Sequence, residues 1–411
     1  MQIEYLEGII GPLSDRIREI KPYCSVTWCA ITSNPIIDDD KLQAERKPME
    51  RISTHQFITL GAAVLMGGTF LLIASFVTEA GGRDGWMAVL PALVVTIPYS
   101  LMVFSLSAKY PQENLLKISE KLLGKWVGKI IGLLYIVISG YYGGLLLAFI
   151  GVIYEQSIMP LMPRWVFYIG ALLLVFYLVS SGIEVFARFS ELIFPVIVIA
   201  LVLNIALTIP RIEQGELLPI LSEGIKPLFF GALRVVPFSM VYILFLGGIL
   251  TFLPVDKQAL GQLKVGVRLT VFLVGILDTL VALIQILVFG PTETVRLAFG
   301  ILELGKMVEI SRTISGVESL FMGVWLGALV IKCGAFYFMT TWGIETVFKL
   351  TKLPWKLAVS FVFLVIAFGF MRGYSLSREL AFVESYLISP FAFVWIPFLW
   401  AISRWRARAS I

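Results

Sequence analysis

The chain has 411 residues, of which 58% are hydrophobic and only 15% charged, with 35 glycines and one histidine. Soluble domains run to about 45–50% apolar and about 25% charged, so a chain of this length would bare more apolar surface than one water-facing core could cover, and an all-α integral membrane protein is expected. The net charge of +5 comes from bases scattered over short loops rather than gathered in a patch, which argues against a nucleic-acid partner.

Residues 1–51 hold nine acids and seven bases, which leaves a net +7 on the other 360 residues. This stretch has no apolar run of the kind a signal peptide needs. Cys24 and Cys29 lack the further Cys or His ligands of a zinc site, so neither a metal nor a disulfide framework is expected. Residues 1–50 read either as a disordered cytoplasmic extension or as an artefact of the start site, because Met49 opens the phrase Met49-Glu50-Arg51-Ile52-Ser53 just ahead of the apolar body. Residues 51–411 form the expected membrane domain.

A window of about 19 residues marks ten apolar stretches: Phe57 to Thr78, Met87 to Ser107, Ile130 to Ile153, Trp165 to Ser180, Leu192 to Ile209, Leu228 to Leu253, Thr270 to Phe289, Leu320 to Thr341, Leu357 to Phe370 and Tyr386 to Ile402. With a cytoplasmic N-terminus, eighteen Lys and Arg residues fall on the inner loops and nine on the outer ones, so both termini are expected in the cytoplasm. Between the second and third stretches, Leu115, Leu116, Ser119, Leu122, Leu123 and Trp126 share one helical face while Lys117, Lys121 and Lys125 share another. That pattern predicts an interfacial helix on anionic lipid, or the same helix standing further out with a solvated charged face. Residues 291–316 make a longer outer connection, a candidate lid or partner surface.

Gly67-Gly68-Thr69 interrupts the first stretch and Pro237-Phe238-Ser239 the sixth. Matching interruptions in the first members of two five-span halves predict an inverted-repeat transporter fold, with repeats over about 57–209 and 228–405 and broken helices 1 and 6. Ionisable residues inside spans are costly and therefore informative. Arg234 stands beside the sixth-span break, Asp278 in mid-span 7 and Lys332 in mid-span 8. Asp278 and Lys332 read as a buried pair or proton-responsive site, or else as groups that snorkel or cap irregular backbone. With His55 as the lone histidine no Ser/His/Asp triad can be built, and no phosphate-binding Gly-Lys-Ser/Thr loop occurs. Neither an enzyme nor a cofactor is expected.

Phrases in order along the chain carry a family likeness. They are Ile52-Ser53-Thr54-His55-Gln56, Gly82-Arg83-Asp84-Gly85-Trp86, Tyr110-Pro111 with Leu123-Gly124-Lys125-Trp126-Val127-Gly128, Gly182-Ile183-Glu184-Val185-Phe186-Ala187-Arg188, Leu217-Leu218-Pro219-Ile220-Leu221-Ser222-Glu223-Gly224, and Glu318 with Trp325. From about Met49 to the end, the chain resembles the spore-germination permeases, the B-type subunits of germinant receptors, within the amino acid/polyamine/organocation superfamily. It departs from them at Ser239-Met240, where many members carry a small residue and an acid, and at Val317, where a basic residue usually stands beside the glutamate that is Glu318 here.

The resemblance implies a sensor in the spore inner membrane. A small nutrient, typically an amino acid, would bind at mid-membrane, and the signal would pass to a larger membrane subunit and a lipoprotein. The backbone of Gly67, Gly68 and Thr69 would meet the ligand's charged groups, with Tyr142, Phe149, Phe238, Ser239 and Ala335 as lining, although plain helix packing would also explain the aromatics. Arg234, Asp278, Lys332 and Glu318 would be coupling or structural ionisable groups. A proton- or sodium-coupled amino acid transporter is the alternative on the same fold.

Overall fold

A computed structural model describes residues 51–157, 159–212, 217–221, 224–253, 257–307, 317–350, 353–370 and 376–409; in 257–259, 317–322, 353 and 407–409 only the backbone is described. The sequence expectations for residues 1–50 fall outside these residues, as does the side chain of Glu318.

The described chain is all-helical. The first helix, α1 (Thr54–Met66), starts on a capping box: the Ser53 hydroxyl accepts from the Gln56 amide at 3.1 Å and the Gln56 side-chain oxygen accepts from the Ser53 amide at 3.0 Å, satisfying two donors that a helix start leaves open. It ends at Gly67-Gly68, and α2 (Thr69–Gly81) begins at once. A short 3₁₀ turn, Gly82–Ala88, leads into α3 (Val89–Lys109). Then follow α4 (Leu115–Leu123), α5 (Lys125–Ser157), α6 (Arg164–Ser180), α7 (Ile183–Thr208), α8 (Lys226–Ile249) and α9 (Lys257–Arg296). The chain closes with α10 (Gly300–Met307), α11 (Val317–Phe348), α12 (Leu353–Gly369), α13 (Leu376–Phe382), a π-helical turn (Val383–Ile388) and α14 (Ser389–Ala409).

Each of the ten apolar stretches falls largely on helix, but among the described residues length and composition qualify seven helical segments to cross a membrane. Thr54–Met66, Arg164–Ser180 and Pro354–Gly369 are shorter. At 1.5 Å per residue they reach roughly 20–26 Å, less than the about 30 Å of a hydrocarbon core. The segments built on α5, α8 and α11 are largely buried, whereas those built on α3, α7 and α14 are buried over well under half of their apolar core. The exposed residues are apolar, as Val94, Leu192 and Val394 show, which suits a ring of helices whose outer faces meet lipid. The inner helices pack chiefly as α11 on α5, α9 on α1 and α2, and α8 on α2 and α3.

Two expectations need correction. No break occurs at Pro237-Phe238-Ser239: α8 runs as helix from Lys226 to Ile249 with Pro237 inside it. Proline withdraws one amide donor, whereas unwinding would bare several more backbone groups in apolar surroundings, so the helix is kept. The apolar face of α4 does not lie on lipid. Leu115, Leu116, Ile118, Ser119 and Leu122 are buried against α5, α8, α11 and α14, and the Trp395 indole donates to the Ser119 hydroxyl at 2.8 Å. Irregularities appear elsewhere, at Gly290 within α9 (φ 72°) and in the π-turn. Of the outer connection 291–316, residues 291–296 continue α9 and 300–307 form α10, while 308–316 fall outside the described residues.

Candidate functional site

The site begins where two glycines stop a helix. Gly68 takes a left-handed conformation (φ 78°, ψ −23°), a region that costs other L-residues about 1–2 kcal/mol. Gly67 is required for space: a Cβ there would stand 2.7 Å from the Ala328 carbonyl oxygen of α11 and 2.8 Å from that of Ala63. Glycine therefore lets α1 and α11 touch backbone to backbone at the interruption. Thr69 opens α2 and donates its hydroxyl to the Leu65 carbonyl at 2.9 Å, which ties the two helices across the break. No side chain caps the start of α2, so its first turn presents backbone amides of the kind that favour negative charge.

Facing the break from α11 is Lys332, only 2% exposed. Its Nζ reaches the Thr69 hydroxyl at 3.5 Å and lies 6.0 Å from the centre of the Tyr142 ring. Two further ionisable groups are buried on neighbouring elements, Asp278 of α9, 6% exposed, and Glu384 of the π-turn, 2% exposed, both near enough to interact electrostatically with Lys332. The Tyr142 hydroxyl of α5 donates to Glu384 Oε1, and the Tyr142 ring meets Phe336 edge-on at 4.6 Å. Asp278 Oδ1 and Glu384 Oε2 are sealed from solvent without a hydrogen-bond partner among the described residues. Five helical segments thus send polar groups to one place, in a setting where each such group is costly unless paired.

Glu384 was not anticipated. It stands two residues before the apolar stretch that starts at Tyr386, outside the spans expected from the sequence. The π-turn adds a residue to the helical turn and carries Glu384 inward, and the Ser389 hydroxyl donates to the Glu384 carbonyl at 2.7 Å. A buried acid just ahead of an apolar run was the only sequence signal.

The other expected residues divide. Phe149 lies beside Gly68, about where a Gly68 Cβ would meet it at 4.0 Å, and packs against Phe299 at 5.6 Å. Phe238 is buried against Phe76 of α2 at 5.7 Å, and Ser239 is buried beside it. Ala335 is buried on α11 one turn past Lys332. Arg234 does not join the cluster: it is exposed and pairs with Glu79 of α2 at 3.8 Å. That pair lines a cavity of about 1210 Å³, whose walls include Leu72, Ser75 and Phe76 of α2, Pro237 of α8, and Ser385 and Ser389 of the last segment. The cavity therefore runs along α2 starting less than a turn beyond Thr69, with the ionic cluster outside its lining. Among the described residues no group of three His, Cys, Asp or Glu side chains could hold a metal ion.

Comparisons with known proteins bear on the family and the fold. The family model described as spore germination protein matches residues 51–372. Spore germination protein YndE of Bacillus subtilis (strain 168) is 24% identical over 308 residues, covering 74% of this chain and 82% of that protein. Among solved structures, MhsT in complex with L-phenylalanine superposes with a TM-score of 0.66 at 15% identity, over 85% of this chain and 89% of that one. Mhp1, a nucleobase-cation-symport-1 family transporter with bromovinylhydantoin bound, gives a TM-score of 0.66 at 12% identity, over 85% of this chain and 78% of that one. At such identities the likeness is one of fold, shared with membrane transporters.

Proposed function

We propose, from the premise that this chain belongs to the spore germination protein family, that it is the germinant-sensing membrane subunit of a spore germinant receptor. In this reading a small nutrient, an amino acid in the first instance, binds where α1 gives way to α2. The first-turn amides of α2 and the Lys332 ammonium receive its carboxylate, and the free oxygens of the buried acids receive its ammonium. Gly67, Gly68, Thr69, Tyr142 and Phe149 form the near wall, and Phe238, Ser239 and Ala335 extend it. The single observation that carries the reading is the glycine interruption facing a buried Lys332 near two buried acids.

The ten helical stretches are read as ten spans in two inverted halves of five, with short spans completed by their flanks and both termini in the cytoplasm of the spore. Ligand binding shifts a conformational equilibrium that a larger membrane subunit and a lipoprotein read in the spore inner membrane. No chemical step and no cofactor are involved.

A proton- or sodium-coupled amino acid transporter is the second reading, favoured by the fold shared with a cation-symport family transporter. The two separate in proteoliposomes holding the purified chain. A sensor binds labelled amino acid saturably and does not concentrate it when a proton or sodium gradient is imposed; gradient-driven accumulation would replace the sensor with the transporter.

A further inference from the structure

The Lys332 cluster does not balance its own charge. One ammonium stands among two carboxylates, so with all three groups ionised one negative charge is left over among buried residues. An uncompensated ionic charge there costs several kcal/mol or more, and such sites are neutralised by a proton or a counter-cation. We propose that the cluster is a proton-binding site that holds one exchangeable proton on Asp278, while Lys332 stays charged and pairs with Glu384.

Geometry assigns the proton to Asp278 rather than to its partner. Glu384 accepts the Tyr142 hydroxyl, a bond that favours the ionised carboxylate. Asp278 takes part in no hydrogen bond among the described residues, and its Oδ1 is sealed from solvent. Several other charged groups on the elements packed against α9 are engaged elsewhere, and Arg83 of the 3₁₀ turn is a further charge on those elements. Glu79 pairs with Arg234, Glu303 with Lys306, and His55 with Glu191; Asp84 accepts from the Leu221 amide and Lys109 donates to Ser403. On the side of the π-turn, Glu379 accepts from Tyr141 at 3.0 Å.

A metal cation fits this place less well than a proton does. The two acids sit about an ammonium that would repel a metal ion, and among the described residues no group of three metal-ligating side chains accompanies them. Loss of the proton leaves Lys332 shared between α9 and the π-turn, and Lys332 also touches Thr69 at the helix break, so proton occupancy is felt at the proposed ligand site. The inference extends that site but stands without it, because the proton is detected with no ligand present.

The test is infrared difference spectroscopy on the purified full chain in lipid nanodiscs, titrated from acid to alkaline pH. One deuterium-sensitive band of a buried protonated carboxyl is expected. It should vanish in Asp278→Asn, be lost at a lower pH in Glu384→Gln, where the single remaining acid can balance Lys332 by ionising, and stay unchanged when potassium is exchanged for sodium at constant pH. In the parent protein the band should move on ¹³C-aspartate labelling and not on ¹³C-glutamate labelling, so the assignment is decided even where a variant fails to fold. Absence of the band, its movement with labelled glutamate, or its displacement by sodium would each overturn the proposal. An intact band in a protein that binds no amino acid would instead discard the ligand site and leave the proton site standing.

Discussion

The Gly67→Val variant is expected to lose its nutrient response completely and to unfold at a distinctly lower temperature than the parent protein. The β-carbon would stand 2.7 Å from one backbone carbonyl oxygen and 2.8 Å from another, and neither can swing aside as a flexible side chain could. Relief requires α1 and α11 to part. Overpacking typically costs 1–3 kcal/mol, and a clash with two backbones belongs at the upper end, about 3 kcal/mol. Thermal unfolding in detergent measures the stability, and germination of spores carrying the variant measures the response. Parental values in both would mean that the close approach of the two helices is dispensable.

Lys332→Met is expected to be as damaging for an electrostatic reason. It leaves Asp278 and Glu384 buried with no counter-charge, and removal of one partner from a buried ionic group typically costs about 3–5 kcal/mol. The sign of its pH dependence follows from charge alone. The stranded negative charge is that of Glu384, and in alkali that of Asp278 as well; protons neutralise it as pH falls, so the loss of stability should shrink in acid and grow in alkali. The triple change Lys332→Met, Asp278→Asn and Glu384→Gln removes every charge together and should recover most of the stability. Thermal unfolding across pH checks both expectations; a stability loss that does not vary with pH would show that Lys332 acts through packing.

The parts of the site that could be read from the sequence are those where a residue type is costly in an apolar run. Gly67-Gly68 stands out because adjacent glycines weaken a helix at mid-span, and Asp278 and Lys332 stand out because hydrocarbon penalises charge. Glu384 escaped because it lies at the edge of its run, and only the π-turn, which has no sequence signature, carries it inward. Arg234 drew attention for the same reason as Lys332, yet it sits on an exposed turn beside Glu79; a charge inside an apolar run does not reveal which way its helix faces. Pro237 was misread because proline removes one hydrogen bond but leaves the neighbouring ones in place. For α4 the apolar face was evident from spacing, while the identity of what covers it depends in part on α8, α11 and α14, which are distant in sequence. Periodicity locates faces and interruptions, and long-range packing decides what meets them.

Binding of labelled amino acids to the purified full chain in nanodiscs, parent against Gly68→Leu, tests the proposed site most directly. The variant forces a bulky side chain onto a left-handed residue, with its β-carbon 3.1 Å from the Leu329 side chain, and so fills and distorts the break while leaving the ionic cluster in place. Saturable binding by the parent and its loss in a variant that remains monodisperse is the expected result; equal binding by the two would contradict a ligand site at the α1–α2 break.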